Sequence, residues 1–506
     1  MIRILDPATA VTAARAPQPL PTAYVDDRLL VAASVADNPD PRVVEALAAL
    51  GWELRPEPSR SREGFAAVAR AAKQLGIDLR SHPVVVAVLT VTADAPAAPP
   101  DAWTALQHIR QAAPDLARAY QLDHVLAPTT LSGVGGYWNG IGGYWNGIGG
   151  YWNGIGGYWN GIGGYWNGIS QSPAEFGVPG RGGRSPVAVV AADPALAVRR
   201  LKRPPVIASP DSGVGSHPWF SAPAVTVHGS PNPDDSDGVS HPLTGDLDRL
   251  AGHGTFIAGI LRQTAPAARI TSYPVLGTDG VVAEDVLLDC LAALLARQVL
   301  ALAGGTPDRV TDVLTLSLGY YHEDPDDTPT DLALAAILGD LGRAGVLVVA
   351  GAGNDAGDRP MLPAGFAGQV TGLAHDALPL VSVGSLNPNA ASVSLFSNAG
   401  AWVTTYRQGA AIVSTLPCSE DAGAQPSVLA RRGDPDDRPR ATIDGDDYSG
   451  GFGVWSGTSF AAPVLAGQLA RHLADHDPAD TSLAALLDRG WRAVEAVVAH
   501  PEVRRP

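Results

Sequence analysis

The stretch Trp455-Ser456-Gly457-Thr458-Ser459-Phe460-Ala461-Ala462-Pro463 decides how the rest of the chain reads. A serine hydroxyl is a poor nucleophile at neutral pH. It needs a base to take its proton and donors to hold the oxyanion that forms. Gly457 leaves room in front of Ser459 for a substrate backbone, and the run Val464-Leu465-Ala466-Gly467-Gln468-Leu469-Ala470 that follows has helical spacing. Ser459 is therefore expected on the first turn of a buried helix, where backbone N–H groups and the helix dipole favour negative charge.

The stretch resembles the Gly-Thr-Ser-Met-Ala-Ala-Pro signature of the subtilisin-like serine proteases (subtilases, peptidase family S8), with Phe460 where Met is usual. Three upstream motifs extend the resemblance. Val206 to Pro210 leads into Asp211-Ser212-Gly213, similar to the family's acid motif, and an acid ending a strand of an open α/β sheet faces the ligand crevice. Pro210, directly before the acid, is expected to distort the last strand position. Gly252-His253-Gly254-Thr255 resembles the family's base motif, with Phe256 in place of a second histidine. Asn354, after the strand Val346–Ala350, resembles its oxyanion asparagine. Asp-Ser-Gly or Gly-Asn alone is usually just a turn. The order acid, base, asparagine, serine is what raises them, and acid–base–serine is the subtilisin order.

The resemblance implies that His253 takes the Ser459 proton, Asp211 orients the imidazole, and Asn354 holds the oxyanion. It implies further that Ser317, Leu318 and Gly319, with Ala352 and Gly353, bind extended substrate, a mode that gives affinity with little sequence preference. The implied fold is α/β, a three-layer α/β/α domain with a mostly parallel sheet over residues 205–506. The implied activity is that of a serine endopeptidase acting on protein or peptide. A binding or scaffold protein built on a protease fold is the alternative.

Residues 1–204 lie outside the resemblance. After a tail (1–23), residues 24–130 alternate strand-like and helix-like runs, with Gly51 and Gly76 as helix stops, and read as a small α+β domain. In subtilases such a region chaperones folding and blocks the cleft; a partner-binding adaptor is the rival reading. From Gly135 to Ile169 the heptapeptide Gly-Gly-Tyr-Trp-Asn-Gly-Ile occurs five times. Its glycines exclude a coiled coil. A spacer, a recognition segment for a regulatory protein partner, and a competitor lying along the cleft are the alternatives. Residues 170–204 read as a linker, and the run Arg199-Arg200-Leu201-Lys202-Arg203 reads either as a place for maturation cleavage or as a solvated basic run with no role.

The net charge of −16 argues against nucleic acid or an acidic membrane face as the main partner. No run is read as long and apolar enough to span a bilayer, and the N-terminus does not read as a secretory signal, so the expected location is cytoplasmic. No cofactor and no metal ligand set is called for. The acidic inserts 231–248 and 419–448 read as surface loops, with calcium at the first not readable, and the acids after Gly319 (Glu323, Asp324, Asp326, Asp327) read as a solvated loop, a preference for basic substrates near the cleft being the alternative. Cys290 is expected buried, and nothing in the spacing asks for a disulfide to Cys418.

Overall fold

A computed structural model describes residues 1–128 except 13–16, 59–63 and 93–97; residue 176; and residues 182–498 except 198–200, 236–242, 244, 278–279, 325–331, 369–374, 424, 431–437 and 477–478. The five heptapeptides, Arg199-Arg200 and Asp326-Asp327 lie outside the described residues.

The N-terminal elements follow the expected alternation: Ala23–Ala32 (β1), Pro41–Ala48 (α1), Trp52–Pro56 (β2), Phe65–Gln74 (α2), Val84–Val91 (β3), Ala102–Ala112 (α3) and Tyr120–Pro128 (β4). They form an antiparallel sheet in the order β4-β1-β3-β2. Alternate residues of β1 face opposite ways, as the strand repeat requires. Leu29 and Val31 pack with Leu106 and Ile109 of α3. Leu30 faces the other side, in a core shared with Leu126 of β4 and with Leu287 and Leu291 further along the chain.

The following region contains Ser185–Pro186 (β5), Val206–Asp211 (β6), Val225–Val227 (β7), His253–Thr264 (α4), Arg269–Pro274 (β8), Val282–Ala283 (β9), Glu284–Ala303 (α5), Val313–Leu316 (β10), Leu318–Gly319 (β11), Ala333–Arg343 (α6), Leu347–Gly351 (β12), Leu380–Leu386 (β13), Thr405–Gln408 (β14), Ile412–Thr415 (β15), Phe452–Trp455 (β16), Thr458–Asp475 (α7) and Leu483–Ala493 (α8). A seven-stranded sheet runs β14-β13-β12-β10-β6-β8-β7, with every pairing parallel. Parallel strands are covered on both faces, which is why these strands are unbroken apolar runs. In β12, Leu347 and Val349 pack towards α4 and α7, while Val348 and Ala350 pack towards α5 and α6. This is the three-layer α/β/α arrangement.

Several expectations need correction. Pro210 does not distort β6: the strand continues through Asp211, with Pro210 opposite Tyr273 of β8. The ladder to β10 covers only Ile207 and Ala208, so the residue lacking an N–H sits beyond it. The expected linker is partly built into the fold. Ser185–Pro186 pairs with β16, Arg262 holds Asp193 at 2.9 Å, and Arg203 holds Asp312 at 2.8 Å. Both acidic inserts send one carboxylate inside, Asp234 and Glu420, each about 1 % exposed. Helix α5 is in fact long and apolar enough to cross a membrane, with mean hydropathy 1.9. Its apolar face packs in the core, with Leu287, Leu291 and Leu295 buried there. Cys290 on α5 is half-buried rather than buried, and both cysteines are free.

Candidate active site

Helix α7 begins at Thr458, so Ser459 lies in its first turn, where the helix supplies no internal acceptors for its N–H groups. The Thr458 N–H donates to Asn354 Oδ1 at 2.9 Å, and the Gly353 N–H donates to Thr458 Oγ1 at 3.0 Å. The loop after β12 thus caps the helix that carries the serine. Pro463 sits one turn on and cannot donate to the Ser459 carbonyl. That carbonyl accepts instead from Ser317 Oγ at 2.9 Å, while Ser459 Oγ donates to the Ser317 carbonyl at 3.0 Å.

His253 is the first residue of α4. A Cβ at Gly254 would lie 2.1 Å from the Gly213 carbonyl oxygen, so only glycine allows the helix to approach the loop after Asp211 this closely. At that approach His253 Nδ1 donates to Asp211 Oδ1 at 2.7 Å. Asp211 Oδ1 also accepts the Ser212 N–H at 2.8 Å. Phe460, next to the serine, lies against the imidazole at 5.5 Å between centroids, and Trp455 at 5.8 Å. Asp211, His253 and Ser459 are all buried. Three buried polar atoms here have no hydrogen-bond partner among the described residues: Asp211 Oδ2, His253 Nε2 and Asn354 Nδ2. Such atoms are rare because each carries an uncompensated desolvation cost.

One residue was missed by sequence reasoning. The α4 N-cap is Gly252, which has no side chain to cap with. Asp234 does the work from the acidic insert, accepting the Thr255 N–H at 2.8 Å and Thr255 Oγ1 at 2.6 Å. A helix start with no Ser, Thr, Asp or Asn at its cap calls for an outside acceptor, and that was the available signal. Burial pushes the Asp234 carboxyl up, against those hydrogen bonds.

The Ser317–Gly319 segment pairs with the N-terminal region. Strand β4 lies antiparallel to β11, with Pro128 opposite Leu318 and Ala127 opposite Gly319. Its other edge pairs with β9, Leu126 opposite Val282 and Val125 opposite Ala283. It is therefore the middle strand of three. Asn398 holds the Ala352-Gly353 turn after β12: its Nδ2 donates to the Ala352 carbonyl at 3.0 Å and its backbone N–H to the Gly353 carbonyl at 2.9 Å. A cavity of about 690 Å³ lies elsewhere, between α2 and α5.

Beyond the paired segment, His124 is buried with Nδ1 2.8 Å from Glu284 and Nε2 2.8 Å from Glu323. Burial disfavours the charged ring, but the attraction of Glu323 and the hydrogen bonds to both carboxylates outweigh it and push His124 up to about 10. Burial also opposes ionisation of Glu323, yet His124 holds it well below the usual carboxylate range. This corrects the reading of Glu323 as solvated. Possible ligand atoms of His124, His322 and Glu323 lie within 4.8 Å of one another. Both His124 nitrogens are already engaged by carboxylates, however, and His322 Nδ1 accepts the Asp324 N–H at 3.1 Å. No metal is needed to satisfy the group.

The family model for the subtilases (peptidase S8) matches residues 202–488. No curated protein matches the chain. The match covers more than half of the sequence and begins where the parallel sheet begins. The chain belongs to the subtilase family of serine peptidases.

Proposed function

We propose that the chain is a serine endopeptidase working through Asp211, His253 and Ser459. The observation that carries this reading is the Asp211–His253 Nδ1 bond of 2.7 Å, which leaves Nε2 buried and without a hydrogen-bond partner among the described residues, beside the helix that carries the serine. Ser459 Oγ attacks the peptide carbonyl carbon and its proton passes to His253 Nε2. Asp211 holds the imidazole tautomer and stabilises the imidazolium. The oxyanion takes Asn354 Nδ2–H, whose amide is oriented by the Thr458 N–H on its oxygen, together with the Ser459 N–H. The imidazolium then gives its proton to the leaving amine, and water enters by the same base to release the acyl group.

The same reading includes latency. A backbone already paired to both β9 and β11 occupies the groove that extended substrate would use. Strand addition of this kind is driven by main-chain hydrogen bonds, so a tethered strand competes well with any substrate. The tested outcome is simple. Ser459→Ala should lower peptide hydrolysis by about 10⁴-fold or more and abolish fluorophosphonate labelling, with the thermal transition unchanged. Turnover near that of the unmodified chain in the variant would refute the assignment.

A further inference from the structure

The carboxylates around His124 do more than hold one histidine. Three acids of the subtilase region, Glu284, Asp285 and Glu323, face the N-terminal elements. Each meets a cation there. His124 takes Glu284 and Glu323, Arg28 reaches Asp285 at 3.5 Å, and Arg110 reaches Glu323 at 3.6 Å. Glu284 opens α5, immediately after β9. Glu323 follows β11 by four residues. The two acids therefore stand just past the two strands that grip β4, one on each side. Tyr320 completes the pocket: its ring stacks on the imidazole at 4.3 Å, and its hydroxyl donates to Glu284 at 3.3 Å. An aromatic face under a cation adds attraction. His322 also faces the pocket, with Nε2 3.7 Å from Glu323. Asp123, the neighbour of His124 on β4, accepts the Asp285 N–H at 3.1 Å.

We propose that Glu284, Glu323 and the Tyr320 ring form a specificity subsite that selects a cationic side chain in the substrate, three residues before the one that pairs with Gly319. The proposal rests on the reading that β4 lies in the groove as substrate does. The walls belong to the subtilase region, so they remain when β4 leaves. An acidic residue entering there meets two carboxylates, and an apolar one leaves them unpaired. A lysine, arginine or protonated histidine satisfies both. The substrate class is thus an extended peptide with a basic residue upstream of the cut, separated from it by several residues.

The test is a peptide-library digestion by the full-length protein, with cleavage products read by mass spectrometry. Preference is a ratio within one library, so it does not depend on how much of the enzyme is unblocked. Basic residues should be enriched over acidic ones by at least about tenfold at one upstream position, and Glu284→Gln and Glu323→Gln should each shrink that ratio severalfold. Cleavage without upstream basic preference overturns the subsite and leaves the peptidase reading standing. Failure of both cleavage and fluorophosphonate labelling sinks the two together. A second measurement needs no activity. In a Ser459→Ala background, amide exchange along β4 at pH 6.5 should be slowest with His124, faster with His124→Gln and fastest with His124→Glu, by about tenfold or more overall. Equal exchange in all three overturns the pocket's charge preference.

Discussion

Two buried polar groups sit within the same region and are finished differently. Around Ser459 the polar atoms are left open: Asp211 Oδ2, His253 Nε2 and Asn354 Nδ2 have no hydrogen-bond partner among the described residues. Around His124 both ring nitrogens are engaged by carboxylates. The contrast is chemical. On the proposed mechanism, a site that receives a reacting proton and a developing negative charge keeps donors and acceptors in reserve and accepts the desolvation cost. At His124 the ring itself is fully engaged, and the reserve is confined to its neighbours: Asp123 Oδ2 and Asp285 Oδ1 have no hydrogen-bond partner among the described residues.

Within this comparison, the largest effect should come from removing one of the open groups. Asn354→Ala removes a donor to the oxyanion and should lower kcat by about 10²–10³-fold with little change in KM. Steady-state kinetics on a chromogenic peptide checks it, and a change confined to KM would mean that Asn354 binds substrate rather than the transition state.

Loosening the closed group should come next. His124 is raised from an ordinary 6.5 to about 10, so its contribution to docking is complete below pH 6.5 and is lost as pH rises through about 10. Between those limits docking of β4 should weaken by up to about tenfold per pH unit. Glu284, Glu323, His322 and Tyr320 face the ring from the subtilase region, and Arg110 faces Glu323 from α3. Asp123 is pushed up to about 7 by burial and the neighbouring Asp285 charge, which acts in the same direction at lower pH. Hydrogen exchange at β4, compared between the parent chain and His124→Gln across this range, reads the slope; matching slopes would remove His124 as the cause.

The smallest effect concerns a third acid. Glu420 has both carboxylate oxygens buried without a hydrogen-bond partner among the described residues. Burial first, then the Asp234 charge, pushes it up to about 8, with Arg184 opposing. A carboxyl raised this way contributes stability that is complete below about pH 4.5 and is lost as pH rises through about 8. Glu420→Gln should therefore raise the melting temperature at pH 8.5 by a few degrees and change it little at pH 4.5. A shift of equal size at both pH values would show that packing, not charge, is responsible.

Much of the subtilase fold was legible in the sequence because its signals are local. Valine-rich runs announce doubly covered strands, and Gly254 marks the close approach beside His253. What escaped is long-range. Glu284 and Glu323 stand 160 and 199 residues from His124 and carry no mark of the partner they meet. Strand β4 reaches the groove through backbone hydrogen bonds, which no side-chain pattern records. Asp234 and Glu420 lie in polar, turn-rich stretches whose average composition resembles surface, and composition cannot single out the one residue turned inward.

The chain between Pro128 and Gly182 is fastened at both ends. One end is β4, held between β9 and β11; the other is Ser185–Pro186, paired to the strand that runs into Ser459. Whatever that stretch does, it makes departure of β4 a ring-opening event within a single molecule. Diluting the protein would not shift the balance, because the departing strand stays at a high effective concentration near its groove. On the proposed latency, only severing the covalent connection between Pro128 and Gly182 would turn a reversible excursion of β4 into permanent loss, which would give relief of blockage a memory.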